Sequence, residues 1–195
     1  TLCSAGGTDP TALAALAHAL DQLPALRRLE LCGNAMGASG LAGLRALCAA
    51  IARPQCPLTS LDLRHNSLQS AGAAVLAVAL LQSSRLEELY LGSNLLTGPY
   101  GKAREGVRAL AVAIALSKSL RLLDLASNGI GGRTSEVMEQ WHHQPCCATP
   151  HLVRAIEQNS SLKVLLLGGN HLVGRQGDEL TQAWRRHARD APLTL

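Results

Sequence analysis

Leucines recur along this chain in a short alternating pattern. Five segments fit Leu-x-x-Leu-x-Leu-x-x-Asn-x-Leu, with Met or Ile in place of the last Leu in two of them. The five segments span residues 26–36, 58–68, 86–96, 120–130 and 162–172. Apolar residues that alternate with others over so few positions are typical of a half-buried β-strand. We therefore expect five short strands, each ended by a turn in which the Asn side chain satisfies backbone groups.

A second apolar signal lies between the predicted strands. Ten and six residues before the first Leu of a strand motif, the chain carries two aliphatic residues. These pairs are Leu16 and Leu20, Leu76 and Leu80, Leu110 and Ile114, Leu152 and Ile156, and, displaced by one residue, Leu47 and Ile51. The i, i+4 spacing predicts the buried stripe of an amphipathic helix. Each unit is then strand, turn, helix and return, which is the crossover that parallel strands require.

The strand motif is the leucine-rich repeat signature, so the chain resembles that family. Successive motif Asn residues lie 32, 28, 34 and 42 positions apart. The 28-residue unit, and phrases such as the one at residues 159–165, resemble the ribonuclease-inhibitor-like class. That class also supplies the sensor arrays of NOD-like receptors and the body of the Ran GTPase-activating protein. The resemblance implies an α/β solenoid, a curved horseshoe segment with parallel strands on its concave side and helices on its convex side.

The unit boundaries predict one domain over residues 1–195, with five full repeats and a partial N-terminal repeat. Leu2-Cys3 matches Leu31-Cys32, so the chain begins inside a repeat, which is typical of a fragment of a longer array. The uneven spacing predicts an inserted loop at residues 132–150. Residues 174–189 are predicted to form a C-terminal capping helix, and the last four residues echo the start of a strand and would alternatively open a truncated one.

The composition limits which residue types can form the core and indicates the cellular compartment. Hydrophobic residues make up 47% of the chain, but aromatic residues only 2%, and Phe is absent. The core must therefore consist of Leu, Ala, Val and Ile. The longest apolar run, 71–81, is too short to span a bilayer. The six cysteines form no spaced disulfide framework, which predicts mainly free thiols and a cytoplasmic, reducing location. Cys3 and Cys32 would lie on adjacent strands, where they could form a disulfide if oxidised.

Alternation along the strands also predicts which residues face the concave side. The first four units carry acidic residues interspersed with arginines, and the last two carry aliphatic residues. This combination indicates a surface for a protein partner, with an apolar anchor beside a charged band. An unspecialised strand face remains the alternative. The predicted contact residues are Asp62, Arg64, Glu88, Tyr90, Leu122, Asp124, Val164 and Leu166.

Two insertions on the same rim add candidates. Tyr100 lies in the shorter one and Trp141 in the longer one, and both are predicted to contact the partner. The alternative for Trp141 is packing back onto Leu122 or a helix. The longer insertion also contains His142-His143 and Cys146-Cys147. Adjacent pairs do not have the two-to-four-residue gaps of structural zinc sites, so we predict no metal site.

No catalytic motif is present. Gly101-Lys102 lacks the flanking residues of a phosphate loop, and neither a dinucleotide fingerprint nor a nucleophile elbow occurs. We therefore predict no enzyme activity and no cofactor, and a protein-interaction module within a larger chain or assembly. Alternatives are a regulator of a small GTPase and a NOD-like receptor type sensing array. The net charge of +4 is dispersed along the chain, apart from a basic cluster at 185–189. This dispersed charge argues against a nucleic-acid partner.

Overall fold

The computed structural model describes residues 10–37, 40–98, 103–131, 148–186 and 193–195. Six parallel strands form one open sheet in chain order. The strands are β1 (Arg28–Glu30), β2 (Ser60–Asp62), β3 (Glu88–Tyr90), β4 (Leu122–Asp124), β5 (Val164–Leu166) and β6 (Leu193–Thr194). The helices are α1 (Pro10–Ala19), α2 (Leu41–Ile51), α3 (Gln69–Gln82), α4 (Glu105–Leu116), α5 (Thr149–Gln158) and α6 (Arg175–Arg186). This α/β arrangement is a leucine-rich repeat solenoid, as the sequence predicted.

Equivalent residues of successive repeats lie opposite each other in the paired strands, as the repeat motif predicted. Tyr90 lies opposite Asp62 on one side and Asp124 on the other. Val164 lies opposite Leu122 in the row before. The short β6 pairs with β5, so the C-terminal residues do open a further strand. Equivalent positions of successive units are therefore direct neighbours across the sheet.

The core is a continuous layer of aliphatic side chains between strands and helices. The second and third leucines of each strand motif and four of the five predicted helix pairs are buried. The exception is α1, in which Leu16 is only half-buried, whereas Leu13 and Ala17 are buried. A 3-10 turn over Leu20–Gln22 follows α1. Because that turn is more tightly wound than an α-helix, counting back from the strand selects the wrong face of α1.

The motif asparagines form a continuous hydrogen-bonded ladder. Asn94 Nδ2 donates to Leu63 O at 2.8 Å and to Leu91 O at 3.0 Å. Asn94 Oδ1 accepts from the backbone N–H of Asn66 at 3.0 Å and of Leu68 at 3.3 Å. The same cross-unit bond links the Asn residues of all five units. The side chains of Asn66, Asn94, Asn128 and Asn170 thereby each satisfy backbone groups of two units at once.

The residues on either side of each motif Asn have left-handed backbone conformations. The preceding residues have positive φ in every unit: Gly33, His65, Ser93, Ser127 and Gly169. The following residues do so too: Ala35, Ser67, Leu95, Gly129 and His171. Left-handed conformations are costly for residues other than Gly. The turn therefore stores strain that the Asn ladder must offset.

Side chains also close the returns from helix to strand. Ser117 Oγ accepts from Leu120 N at 3.2 Å. One unit later, Asn159 Oδ1 accepts from Leu162 N at 2.6 Å, and Asn159 Nδ2 donates to Ile114 O at 2.7 Å. Asn159 begins an Asn-Ser-Ser sequon, but it is almost completely buried. A glycan there is incompatible with these hydrogen bonds.

Helices α5 and α6 lie at two predicted segment boundaries. The predicted inserted loop 132–150 ends too late, because Thr149 and Pro150 already belong to α5. Pro is favoured at this helix start, where its missing N–H costs nothing. Residues 132–147 lie outside the described residues, and so do Cys3, Tyr100 and Trp141. Helix α6 lies within the predicted capping helix 174–189, whose last three residues also lie outside.

Candidate interaction surface on the strand face

The eight strand-face candidates differ in their exposure to solvent. Arg64 is exposed, and five others are half-buried: Glu88, Tyr90, Leu122, Val164 and Leu166. Two aspartates among the predicted contact residues are buried, so the prediction that they are exposed was wrong. Asp62 and Asp124 are only 7% and 6% exposed. They lie in the expected row but offer little surface to a partner.

The two aspartates are buried because they hold the turn that follows each strand. Asp62 Oδ1 accepts a hydrogen bond from Arg64 N at 3.0 Å, and Asp124 Oδ1 accepts one from Ala126 N at 2.9 Å. A carboxylate that bonds the amide two residues later forms an Asx turn. Asp directly before the last strand leucine was the sequence signal for this role. Both aspartates therefore belong first to the scaffold.

Arg64 returns across Asp62 and forms a fork-shaped ion pair. Arg64 Nε lies 3.0 Å from both carboxylate oxygens of Asp62, and Arg64 Nη2 lies 2.6 Å from Asp62 Oδ2. Burial by itself raises the pKa of Asp62, but hydrogen bonds and charge from Arg64 outweigh it, so this pKa lies below its usual value. The guanidinium carbon also lies 5.4 Å from the centre of the Tyr90 ring, within cation–π range.

Tyr90 connects this pair to a second one. The Tyr90 hydroxyl donates to Glu88 Oε2 at 3.3 Å, and Arg28 Nη2 donates to the same oxygen at 3.1 Å. Burial raises the pKa of Tyr90, and the adjacent Glu88 carboxylate raises it further. Arg28 was not among the predicted contact residues. Two ion pairs, Arg28 with Glu88 and Arg64 with Asp62, thus flank one aromatic ring.

The aliphatic candidates occupy the other half of the face. Leu122 and Val164 are paired across β4 and β5, and Leu166 lies in the next row, opposite Asp124. None of the three is fully buried. Tyr90, opposite Asp124 on β3, stands at the boundary between the two halves. The strand face (Arg28, Arg64, Glu88, Tyr90, Leu122, Val164 and Leu166) therefore combines an ionic half with an apolar half.

The described residues hold no convergent set of metal ligands. Within them, no group of three or more His, Cys, Asp or Glu side chains could hold a metal ion. The His142-His143 and Cys146-Cys147 pairs lie outside the part of the chain that the structure describes. Cys48 is a buried thiol whose pKa burial raises to about 12. It has the environment of a core residue, and a thiolate nucleophile would be strongly disfavoured there.

Comparison with known proteins agrees with this architecture. A family model described as Leucine Rich repeat matches residues 55–77 and 116–133. Ribonuclease inhibitor from Sus scrofa is 30% identical over 203 residues, covering 84% of this chain and 43% of that protein. The protein phosphatase 1 regulatory subunit 37 homolog of Caenorhabditis elegans is 32% identical over 139 residues, covering 71% and 13%. NACHT, LRR and PYD domains-containing protein 9 from Bos taurus is 29% identical over 158 residues, covering 81% and 14%.

Solved structures with this fold are similar along nearly the whole chain. The tropomodulin C-terminal domain of Caenorhabditis elegans has a TM-score of 0.62 at 19% identity and covers 93% of this chain and 94% of that one. Leiomodin-1 actin-binding site 2 has the same TM-score at 13% identity, with 93% and 90% covered. At such identities the similarity concerns the fold alone. The chain is a leucine-rich repeat protein of the ribonuclease-inhibitor-like class, and it spans less than half the length of the curated relatives above.

Proposed function

We propose that the chain is a non-enzymatic module that binds another protein through its strand face. One observation carries the proposal: Tyr90 is held half-exposed between Arg64 and Glu88, next to half-exposed aliphatic residues. Tyr and Arg are the residue types that dominate binding energy in interfaces. A ring fixed by neighbours on two sides loses little freedom on binding. The names of two relatives, an inhibitor and a regulatory subunit, fit a binding role.

The burial of the two aspartates changes the proposed contact set. Asp62 acts by orienting Arg64, and Asp124 by fixing the turn before Ala126. The direct contacts are then Arg64, Glu88, Tyr90, Leu122, Val164 and Leu166. Tyr100 and Trp141 remain proposed contacts from the rim loops, because insertions in solenoids commonly carry binding residues.

The proposed compartment is the cytoplasm. The thiols of Cys48 and Cys56 are buried in the core, and the Asn159 sequon is closed inside the fold. Neither feature needs an oxidising or glycosylating compartment. Among the described helices, none combines the length and the apolar character that crossing a membrane requires.

A sensing array of the NOD-like receptor type is the second candidate. It is favoured by the similarity to NACHT, LRR and PYD domains-containing proteins, such as protein 13 of Homo sapiens, 31% identical over 149 residues, covering 74% of this chain and 12% of that one. In this case the strand face would bind its ligand as part of a much longer chain. Regulation of a small GTPase rests on resemblance of class alone, and no described residue supplies a reason to prefer it.

The strand face is tested with a double substitution, Leu122→Asp with Leu166→Asp. A partner captured by the intact chain and identified by mass spectrometry is titrated against each variant by calorimetry. We expect a loss of affinity of at least about a hundredfold, since each substitution puts a charge into an apolar contact. Leu23→Asp, on an exposed return before β1, is the matched control. Unchanged affinity of the double variant, with the control also unchanged, would rule out the strand face as the binding surface.

A further inference from the structure

Helix α3 carries no charged side chain from Gln69 to Gln82. A helix that is apolar all round is normally buried on every side. This one buries only the side that faces the sheet and its two neighbours, including Leu76 and Leu80. Val78 and Leu81, on its outer side, are 56% and 47% exposed. The sequence showed this apolar run, but there it served only to exclude a membrane span.

The exposed apolar surface continues onto α4. Val112 is 51% exposed and Leu116 63% exposed. Val78 and Val112 each lie two residues after the first aliphatic slot of their helix, so they are equivalent residues on adjacent packed helices. Together Val78, Leu81, Val112 and Leu116 form the helix-face patch. They are half of the eight large hydrophobic residues that are exposed in the described part of the chain.

The repeat itself does not require apolar residues at these positions. In α5, the residues at the same distances from Leu152 are Arg154, Glu157 and Gln158. They are polar, and α5 packs between its neighbours all the same. The helix-face patch is thus a property of two particular units. Contiguous exposed aliphatic residues in otherwise polar positions mark an interaction site.

Three arginines lie on α4 and on the two helices that pack beside α3 and α4. Arg45 on α2, Arg108 on α4 and Arg154 on α5 are all exposed. Within the residues that the structure describes, none of them forms an ion pair. Glu157, the acidic residue on α5, is paired with Arg186 at 3.1 Å. Glu105, at the start of α4, is the other acidic residue on α2 to α5. The rim of the patch is therefore predominantly basic.

We propose that the helix-face patch docks an acidic amphipathic helix of a partner protein. Its apolar stripe would lie in the groove between α3 and α4, at helix-in-groove spacing. Glutamates or aspartates beside the stripe would meet the three arginines. A second copy of this chain fits less well. In a symmetric dimer the same patch meets itself, so the arginine rims would face each other.

The probe is a synthetic helix of about five turns, labelled with fluorescein, with leucines along one face and glutamates beside them. A matched peptide keeps the leucines and replaces the glutamates with lysines. Fluorescence anisotropy is measured against the 195-residue chain. We expect the acidic peptide to bind at least about tenfold more tightly than the basic one, with affinity falling as salt rises.

The variant Val78→Glu with Leu116→Glu is expected to weaken binding of the acidic peptide by at least about tenfold. Both side chains are exposed, so the melting temperature should be unchanged. Val173→Glu, 65% exposed and outside the patch, should bind as the unchanged chain does. The strand-face variant Leu122→Asp with Leu166→Asp should do so too, which separates this proposal from the one above.

Four results would overturn the proposal. The first is no binding of the acidic peptide at about 1 mM, and the second is equal binding of both peptides. The third is a concentration-dependent dimer in analytical ultracentrifugation that Val78→Glu with Leu116→Glu dissolves, which assigns the patch to a second copy. The fourth is co-sedimentation with phosphatidylserine vesicles that this variant abolishes, which assigns it to a lipid surface.

Discussion

At the scale of single residues, one carboxamide per unit holds the turn together. Asn94 is fully buried and bonds backbone groups of its own unit and of the unit before it. The left-handed residues on either side of it, Ser93 and Leu95, do not favour that conformation by themselves. The side chain therefore supplies what the backbone of the turn lacks. Its role could be predicted from the repeated Asn, whereas its neighbours' conformation could not.

Asn94→Ala is expected to lower the free energy of unfolding by about 2–5 kcal/mol, because buried donors and acceptors lose their partners. Urea denaturation followed by circular dichroism measures the change. Gln82→Ala, at the exposed end of α3, is the control and should change the free energy by less than about 0.5 kcal/mol. An equally small effect of Asn94→Ala would mean that the ladder does not stabilise the fold.

Asp62→Asn tests the ion pair with Arg64. Because the folded-state pKa of Asp62 lies below its usual value, the charge stabilises the fold above about pH 4, and this stabilisation is lost as the pH falls through the folded-state pKa. The variant should be less stable by about 1 kcal/mol at pH 7, a modest value because Arg64 is partly solvated.

The difference in unfolding free energy between the unchanged chain and Asp62→Asn should shrink as the pH is lowered from 7 to 3. Chemical denaturation at several pH values measures it. Glu87→Gln, which removes a carboxylate that lies 3.6 Å from Arg121 in a solvent-exposed ion pair, is a control whose effect should be small at each pH tested. A constant difference for Asp62→Asn would show that its charge is not what stabilises the turn.

At the scale of elements, the helices pack at distances set by their smallest residues. Gly106, at the start of α4, donates its N–H to Ser70 Oγ on α3 at 2.8 Å. A Cβ at this position would lie 2.7 Å from Ser70 Cα and 2.8 Å from Ala73 Cβ. Both distances are shorter than real contacts allow. The spacing of the leucines predicted both helices, but a motif of buried leucines says nothing about where two backbones come closest.

Gly106→Ala should destabilise the chain by about 1–3 kcal/mol, because the added methyl group forces α3 and α4 apart. Intrinsic helix propensity alone would give the opposite sign, a gain of up to about 1 kcal/mol. Thermal and urea denaturation determine the sign. Gly40→Ala is the matched control: its added Cβ would lie 3.4 Å from Met36 Cβ, and little change is expected. A stabilising Gly106→Ala would show that the helices can separate without cost.

At the scale of the whole molecule, each unit is bonded mainly to the unit before and the unit after. The sheet follows chain order without exception among the described strands. Loss of structure in one unit should therefore affect mainly the units next to it, as in other repeat arrays. The strand rows were predictable because one period governs the whole chain. The exposure of α3 was not, because the apolar pattern of a helix does not say which of its sides another protein covers.

Hydrogen–deuterium exchange of Asn94→Ala tests this local spread. Amides of β2 and β3 and of their turns should exchange faster than in the unchanged chain, since the Asn94 side chain bonds to its own unit and to the unit before it. Amides of β5 should keep their protection if opening is local. A uniform increase along all strands would instead indicate that the array unfolds in one cooperative step.

The Asn ladder also gives the array a direction of growth. In every link, the backbone N–H of one Asn donates to the side-chain oxygen of the next Asn along the chain, whether the two lie 28 or 42 residues apart. Each unit thus presents the same donor forward and the same acceptor backward. A duplicated unit inserted between any two neighbouring units would therefore have a hydrogen-bond partner on both sides. Gene duplication can therefore lengthen this molecule without a new interface having to evolve, which leaves loop lengths and outer faces free to diversify.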